Sequence, residues 1–178
     1  MPQKGSGKLK VTRPSDLEIV LERTFAAPRH LVFEAMTKPE LVKRWYCCID
    51  GYTMPICDID FRVGGKWKYV IVSAEGNEVC FYGEYREITP PERVVQTEIF
   101  APFPEEVTVC TMTLEEHGGR TYYRTHVLHK TKEGCDGHIN SGMEWGADIA
   151  LDRLDEVAQS LATPGTARST GAAVSPRS

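Results

Sequence analysis

The sequence predicts an α+β fold: a curved antiparallel sheet wrapped around one long C-terminal helix, with two short helices after the first strand. Two observations predict it. From Tyr52 to His129 short apolar-polar alternations are broken at close intervals by Gly, Pro and Asn, the pattern of half-buried strands joined by tight turns. Connections that short join antiparallel neighbours. From Ile139 to Leu161 the pattern changes: Ile139, Met143, Ala147, Ala150, Leu154, Val157 and Leu161 recur at helical spacing, which predicts one amphipathic helix able to cover the apolar face of the sheet.

Each element has its own signal. Leu17 to Phe25 alternates, with Leu17, Ile19, Leu21 and Arg23 on one side, and reads as the first strand. Pro28 opens a short helix whose apolar face is Leu31, Val32 and Ala35. A second short helix runs from Pro39 to Trp45, and Lys38 separates the two because the residue before proline is pushed out of the helical region. Gly64-Gly65, then Glu75-Gly76-Asn77-Glu78, Thr89-Pro90-Pro91-Glu92, Ala101-Pro102-Phe103-Pro104 and His117-Gly118-Gly119 divide the following text into about six strands. Gly142-x-x-x-Gly146 predicts close approach of the helix start to the sheet or a loop.

The 178 residues fit one domain, expected over 15–162, with a flexible basic leader over 1–14 and a disordered tail over 163–178. Lys4, Lys8, Lys10 and Arg13 in the leader and Arg168 and Arg177 in the tail are six positive charges without an acid. Setting them apart from the net −4 leaves about −10 on the body. An acidic body excludes a nucleic-acid partner, whose phosphates need clustered Lys and Arg. No apolar run is long enough for membrane insertion and none resembles a signal-peptide core, so a cytoplasmic protein is expected. Six cysteines without a Cys-x-x-Cys spacing give neither a metal set nor a disulfide framework, and no cofactor or metal is expected. Adjacent Cys47 and Cys48, beside Trp45-Tyr46, are the pair to watch for redox reactivity.

A curved sheet closed by one helix leaves an interior volume, and concave apolar volumes are the usual small-ligand sites. Strand alternation places Trp67 with Tyr69, Phe81 with Gly83 and Tyr85, Glu98 with Gln96 and Phe100, Cys110 with Met112, and Arg124 with His126 on common faces. Gly142, Trp145 and Ile149 form a helical stripe beside the main apolar face. The expected cavity lining is Trp45, Trp67, Tyr69, Phe81, Tyr85, Glu98, Met112, His126, Met143, Trp145 and Ile149. Polar candidates are Glu98, Arg124, His126, His129 and Asp148. His126 and His129, three apart on a strand, point to opposite faces and cannot share a site. No nucleophile motif or phosphate-binding glycine loop is present, so no catalytic residue is assigned.

An ordered series of motifs carries a family resemblance. It runs from Arg23-Thr24-Phe25-Ala26-Ala27-Pro28 through Val32-Phe33-Glu34-Ala35-Met36-Thr37, Pro39-Glu40 and Arg44-Trp45 to Asp60-Phe61-Arg62-Val63-Gly64-Gly65-Lys66-Trp67. It continues with Gly83-Glu84-Tyr85-Arg86-Glu87-Ile88-Thr89-Pro90-Pro91-Glu92-Arg93-Val94-Val95, and ends with Gly142-Met143 leading into Leu151-Asp152-Arg153-Leu154. Over about residues 16–161 the chain resembles the START-like (SRPBCC, Bet v 1-like) superfamily, in the branch similar to the C-terminal domain of the activator of the Hsp90 ATPase. The resemblance implies the helix-grip fold with a cavity between sheet and terminal helix. It departs in two places: Ala147 follows Gly146 where relatives often carry a large residue, and the stretch around Cys47-Cys48 replaces a common polar loop.

The resemblance implies binding of an apolar or aromatic metabolite or lipid, without metal or nucleotide, and favours binding over turnover. A cyclase- or hydrolase-type enzyme using Glu98 or His126 in the same cavity is the first alternative. A chaperone-interacting module is the second, although that contact normally uses an additional N-terminal domain for which fourteen leader residues have no room. Homodimers are compatible with the class, and no residue marks an interface.

Overall fold

The chain joins its sheet earlier than the alternation predicts. The computed structural model describes residues 7–47 and 49–162, and Leu9 already packs into the core. Strand β1 (Lys10–Ser15) pairs antiparallel with β2 (Glu18–Phe25) across a tight turn. The expected leader therefore ends in an edge strand: Val11 and Leu9 supply apolar contacts that the surrounding Lys and Arg conceal in the sequence. Residues 1–6, Cys48 and the expected tail over 163–178 lie outside the described residues.

The two short helices stand where the prolines place them, α1 (Arg29–Thr37) and α2 (Pro39–Trp45), with Lys38 extended between them. Six further strands follow: β3 (Thr53–Ile59), β4 (Lys66–Val72), β5 (Glu78–Thr89), β6 (Arg93–Phe100), β7 (Thr108–His117) and β8 (Arg120–Leu128). The eight strands form one antiparallel sheet in the order β1-β2-β8-β7-β6-β5-β4-β3. Residues 60–65 make a tight turn because Gly64 adopts φ +81° and a Cβ on Gly65 would collide with the Asp60 carbonyl.

The C-terminal helix differs from expectation. Two helices occupy the region, α3 (Lys132–Asn140) and α4 (Met143–Ala162), separated by Ser141-Gly142 with Gly142 at φ +82°. Ile139 belongs to α3, so the apolar stripe read as continuous is shared between two helices whose break a left-handed glycine provides. The expected close approach at Gly142 and Gly146 is absent: a Cβ on either would meet nothing within 4 Å.

The sheet's inner face carries the core. Register aligns Phe25, Thr121 and Tyr123, then Leu114, Met112 and Val94, then Tyr85, Trp67, Tyr69 and Cys57, and these are buried. Leu151, Leu154, Val157 and Ala158, in the C-terminal half of α4, are buried as well. Arg23 ties helix to sheet: fully buried on β2, it donates to Asp152 at 2.6 Å and Asp155 at 3.4 Å, and stacks on the Phe25 ring at 5.2 Å. Asp155 also accepts from the Ala26 amide at 2.9 Å. No described helix is long and apolar enough to cross a membrane.

Candidate functional site

The inner face divides into a sealed half and a half-open half. In the sealed half Trp67 lies over Gly83, where a Cβ would collide with the Thr97 carbonyl, and the indole Nε1 donates to that same carbonyl at 3.1 Å. Trp45 is anchored likewise, its Nε1 donating to the Ala35 carbonyl at 2.8 Å. Trp45 and Trp67, two of the three expected lining tryptophans, are therefore satisfied core residues. Between α1 and the sheet remains a cavity of about 50 Å³ lined by Met36, Thr37, Phe61, Tyr69, Tyr85 and Met112, among others. It has room for about three or four waters.

The other half is built differently. Phe81, Glu98 and Cys110 share the inner face but remain only half-buried, and Phe100 is exposed. Along the first half of α4 Met143, Gly146, Ala147, Ile149 and Ala150 are half-buried, while Leu151, Leu154, Val157 and Ala158 further on are buried. Tyr46, at the end of α2, leans on Tyr69 with ring centroids 4.8 Å apart, and Phe81 and Phe100 lie 5.3 Å apart.

Glu98 is the chemically distinctive group of this half. Its side chain makes no hydrogen bond or ion pair among the described residues. Burial raises its pKa from 4.5 to about 7. A carboxyl that keeps some accessible surface and is nevertheless desolvated faces the interior rather than bulk water. The groups around it are all held neutral: burial first, with the Glu98 charge adding to it, drives the Tyr46 and Tyr69 hydroxyls and the Cys110 thiol upward. Tyr123 is pushed up to about 12, again mainly by burial. The hydroxyls of Tyr46, Tyr69 and Tyr85 likewise make no hydrogen bond among the described residues.

Three expected lining residues are not there. His126 lies on the outer face, with Nε2 2.7 Å from Glu18. The even-numbered residues of β8 point away from the helix, because the buried set on that strand is Thr121, Tyr123 and Val127; Arg124 shares the outer face with His126. Trp145 is 63% exposed, and Ile149, half-buried, is not packed into the core, because at about 100° per residue both stand on the side of α4 away from Leu154. Met143 does pack against the core, beside β1 in a groove of about 290 Å³ with Val11, Arg13, Ile19, Ile139 and Glu144. Asp148 is exposed and His117 sits in solvent.

His129 has a partner the sequence did not suggest. Its Nδ1 faces the Leu17 carbonyl at 3.2 Å and its Nε2 lies 2.9 Å from Nδ1 of His138 on α3. Burial lowers both imidazoles, His138 to about 4. At the half-open end alternation could have found Cys110, which shares a face with Met112, but not Tyr46, which caps α2 and lies on no strand. No group of three or more His, Cys, Asp or Glu among the described residues is placed to hold a metal ion. Cys57, Cys80, Cys110 and Cys135 are thiols rather than disulfides, and the Cys47-Cys48 pair lies partly outside the described residues.

Against known proteins, the sequence model described as Activator of Hsp90 ATPase homolog 1-like protein matches residues 26–159. Among solved structures, a crystal structure of a protein from Rhodobacter sphaeroides superposes with TM-score 0.79 at 24% identity, covering 86% of this chain and 99% of that one. A protein from Nitrosomonas europaea gives 0.74 at 24% identity, with 84% and 99% covered. The AHSA1-like protein from Aeromonas hydrophila gives 0.64 at 16% identity, with 82% and 94% covered. These likenesses establish a shared helix-grip fold. No curated protein sequence matches the chain.

Proposed function

The chain belongs to the family of Activator of Hsp90 ATPase homolog 1-like proteins, and from that premise we propose that it binds a small molecule with an apolar or aromatic body between the half-open end of its sheet and α4. The supporting observation is Glu98: a desolvated carboxyl without a partner among the described residues, on the sheet face that also carries Phe81 and Phe100. Buried carboxyls are normally paired, because an unpaired one costs stability. A site that leaves one unpaired is poised for a group that arrives from outside. The 50 Å³ cavity beside Tyr69 and Tyr85 is too small for a metabolite, since ligand sites typically enclose some 300–1,000 Å³. Entry is assigned to the Glu98 end, where Phe81, Glu98 and Cys110 are only half-buried and Phe100 is exposed.

The test is native mass spectrometry of the purified protein, followed by denaturation and identification of what is released. A stoichiometric apolar compound, lost in Glu98→Gln, is the expected result. Protein that stays empty after exposure to a broad metabolite extract, and yet is retained on immobilised Hsp90, would replace this reading with the chaperone-interacting one.

A second reading is favoured by the same residue. A carboxyl with a pKa of about 7 is matched to proton transfer at neutral pH, as a cyclase or hydrolase would need. Chemical change of the released compound by wild-type protein, abolished in Glu98→Gln with ligand still bound, would establish turnover.

A further inference from the structure

Resting on the small-molecule reading above, we propose that the occupant of the half-open end carries a basic nitrogen, an ammonium head that pairs with Glu98 among aromatic rings while its apolar body follows the sheet.

The reasoning begins with what surrounds the carboxyl. Tyr46 comes from the end of α2, Tyr69 from β4, Cys110 from β7 and Tyr123 from β8, and each lies close enough to feel the Glu98 charge. Each is also a neutral group held protonated by burial. No Lys, Arg or His pairs with Glu98 among the described residues, and no backbone amide donates to its carboxyl. Among the described residues the anion thus has neither counter-charge nor donor.

Aromatic rings supply the second half of the argument. Tyr46 and Tyr69 make an edge-on pair at 4.8 Å, and Phe81 and Phe100 lie 5.3 Å apart on the strands that carry and flank Glu98. Ring faces are electron-rich and attract organic cations. A carboxylate on the same sheet face as such rings discriminates by charge: it rejects an anion, gives a neutral alcohol one hydrogen bond, and gives an ammonium both an ion pair and nearby ring contacts. The acidic body of the chain, with its net charge of −4 overall, adds a long-range preference of the same sign.

Titration sharpens the prediction. Below pH 7 the empty site holds Glu98 protonated, so an ammonium must displace that proton to bind. Its affinity then falls about tenfold for each pH unit below 7, whereas a neutral ligand shows no such slope.

Three probes of one shape test this: 2-phenylethylamine, 2-phenylethanol and 3-phenylpropionate, each titrated into the full chain and followed by amide NMR shifts at pH 8 and pH 6. The amine should bind tightest at pH 8, at least tenfold above the alcohol, and weaken about tenfold by pH 6. Glu98→Gln should bring the amine down to the alcohol's affinity and leave the alcohol unchanged, with its amide spectrum reporting that the variant is folded. Alcohol binding equal to amine binding, or amine binding indifferent to both Glu98→Gln and pH, overturns the ammonium and leaves the small-molecule reading standing. Tightest binding of the propionate overturns it likewise. Binding of none of the three at millimolar concentration removes both.

Discussion

Glu98 acts on stability as well as on ligands. Its native pKa of about 7 lies above its ordinary 4.5, so the folded protein holds that proton more tightly than the unfolded chain does. The associated stabilisation is complete below pH 4.5 and is lost as pH rises through 7. The ionised carboxylate therefore costs about 2–3 kcal/mol at pH 8, allowing for its partial solvent access. Glu98→Gln should raise stability by about that amount at pH 8 and leave it nearly unchanged at pH 4.5, measured by urea unfolding. Gly83 behaves in the opposite sense: Gly83→Ala pushes a methyl into the Thr97 carbonyl and the Trp67 indole at once. A loss of about 2–4 kcal/mol is expected, with a shift in tryptophan fluorescence as the indole loses its acceptor. Alternation made both positions legible as inward-facing. Neither the missing partner of Glu98 nor the clash at Gly83 was legible, because both depend on which atoms of other strands arrive alongside.

At the scale of elements, α4 is fixed to the sheet at its C-terminal half and loosely held at its start. The fixing point is Arg23, fully buried between Asp152 and Asp155, with its Nε left unpartnered. Arg23→Ala strands the Asp155 carboxylate in the core and should cost about 3–5 kcal/mol, read as a lowered urea midpoint. Arg23→Met with Asp155→Leu should recover much of that loss, since a packed apolar pair replaces the ions. Strand periodicity did place Arg23 on the same side as Ile19 and Leu21, which is where it lies. What periodicity hid was its partner 132 residues away. The same physics explains the two misread elements. An edge strand such as β1 buries few side chains, so its alternation is weak and basic residues obscure it. Gly142 breaks the long helix without interrupting the apolar stripe, so a purely apolar count runs through the break.

Across the whole molecule two buried titrations oppose one another. His138, lowered from 6.5 to about 4 beside His129, binds its proton less readily in the folded state. Its contribution is fully present above pH 6.5 and is lost as pH falls toward 4, by an amount on the order of 2–3 kcal/mol. Glu98 moves the other way over much of the same range. With His129 lowered in the same direction as His138, wild-type stability should fall with acid between about pH 6.5 and 4.5 less steeply than that of Glu98→Gln. Glu98→Gln should steepen that fall with acid and His138→Gln should give a rise with acid, both read from urea midpoints across pH. A flat profile in either variant would show that the corresponding group does not titrate as its surroundings dictate.

The strand order also dictates when the parts of this protein can come together. From β3 to β7 each strand pairs with its sequence neighbour, so that meander can zip locally as it leaves the ribosome. The β1-β2 hairpin has no such partner: β2 pairs with β8, about a hundred residues later in the chain. Until β8 has been synthesised, the nascent polypeptide presents two strand edges that the finished sheet covers, one on β2 and one on β7, and both are templates for a stray strand. Chains stopped short of Arg120 should accordingly associate with one another, and chains that include β8 should not.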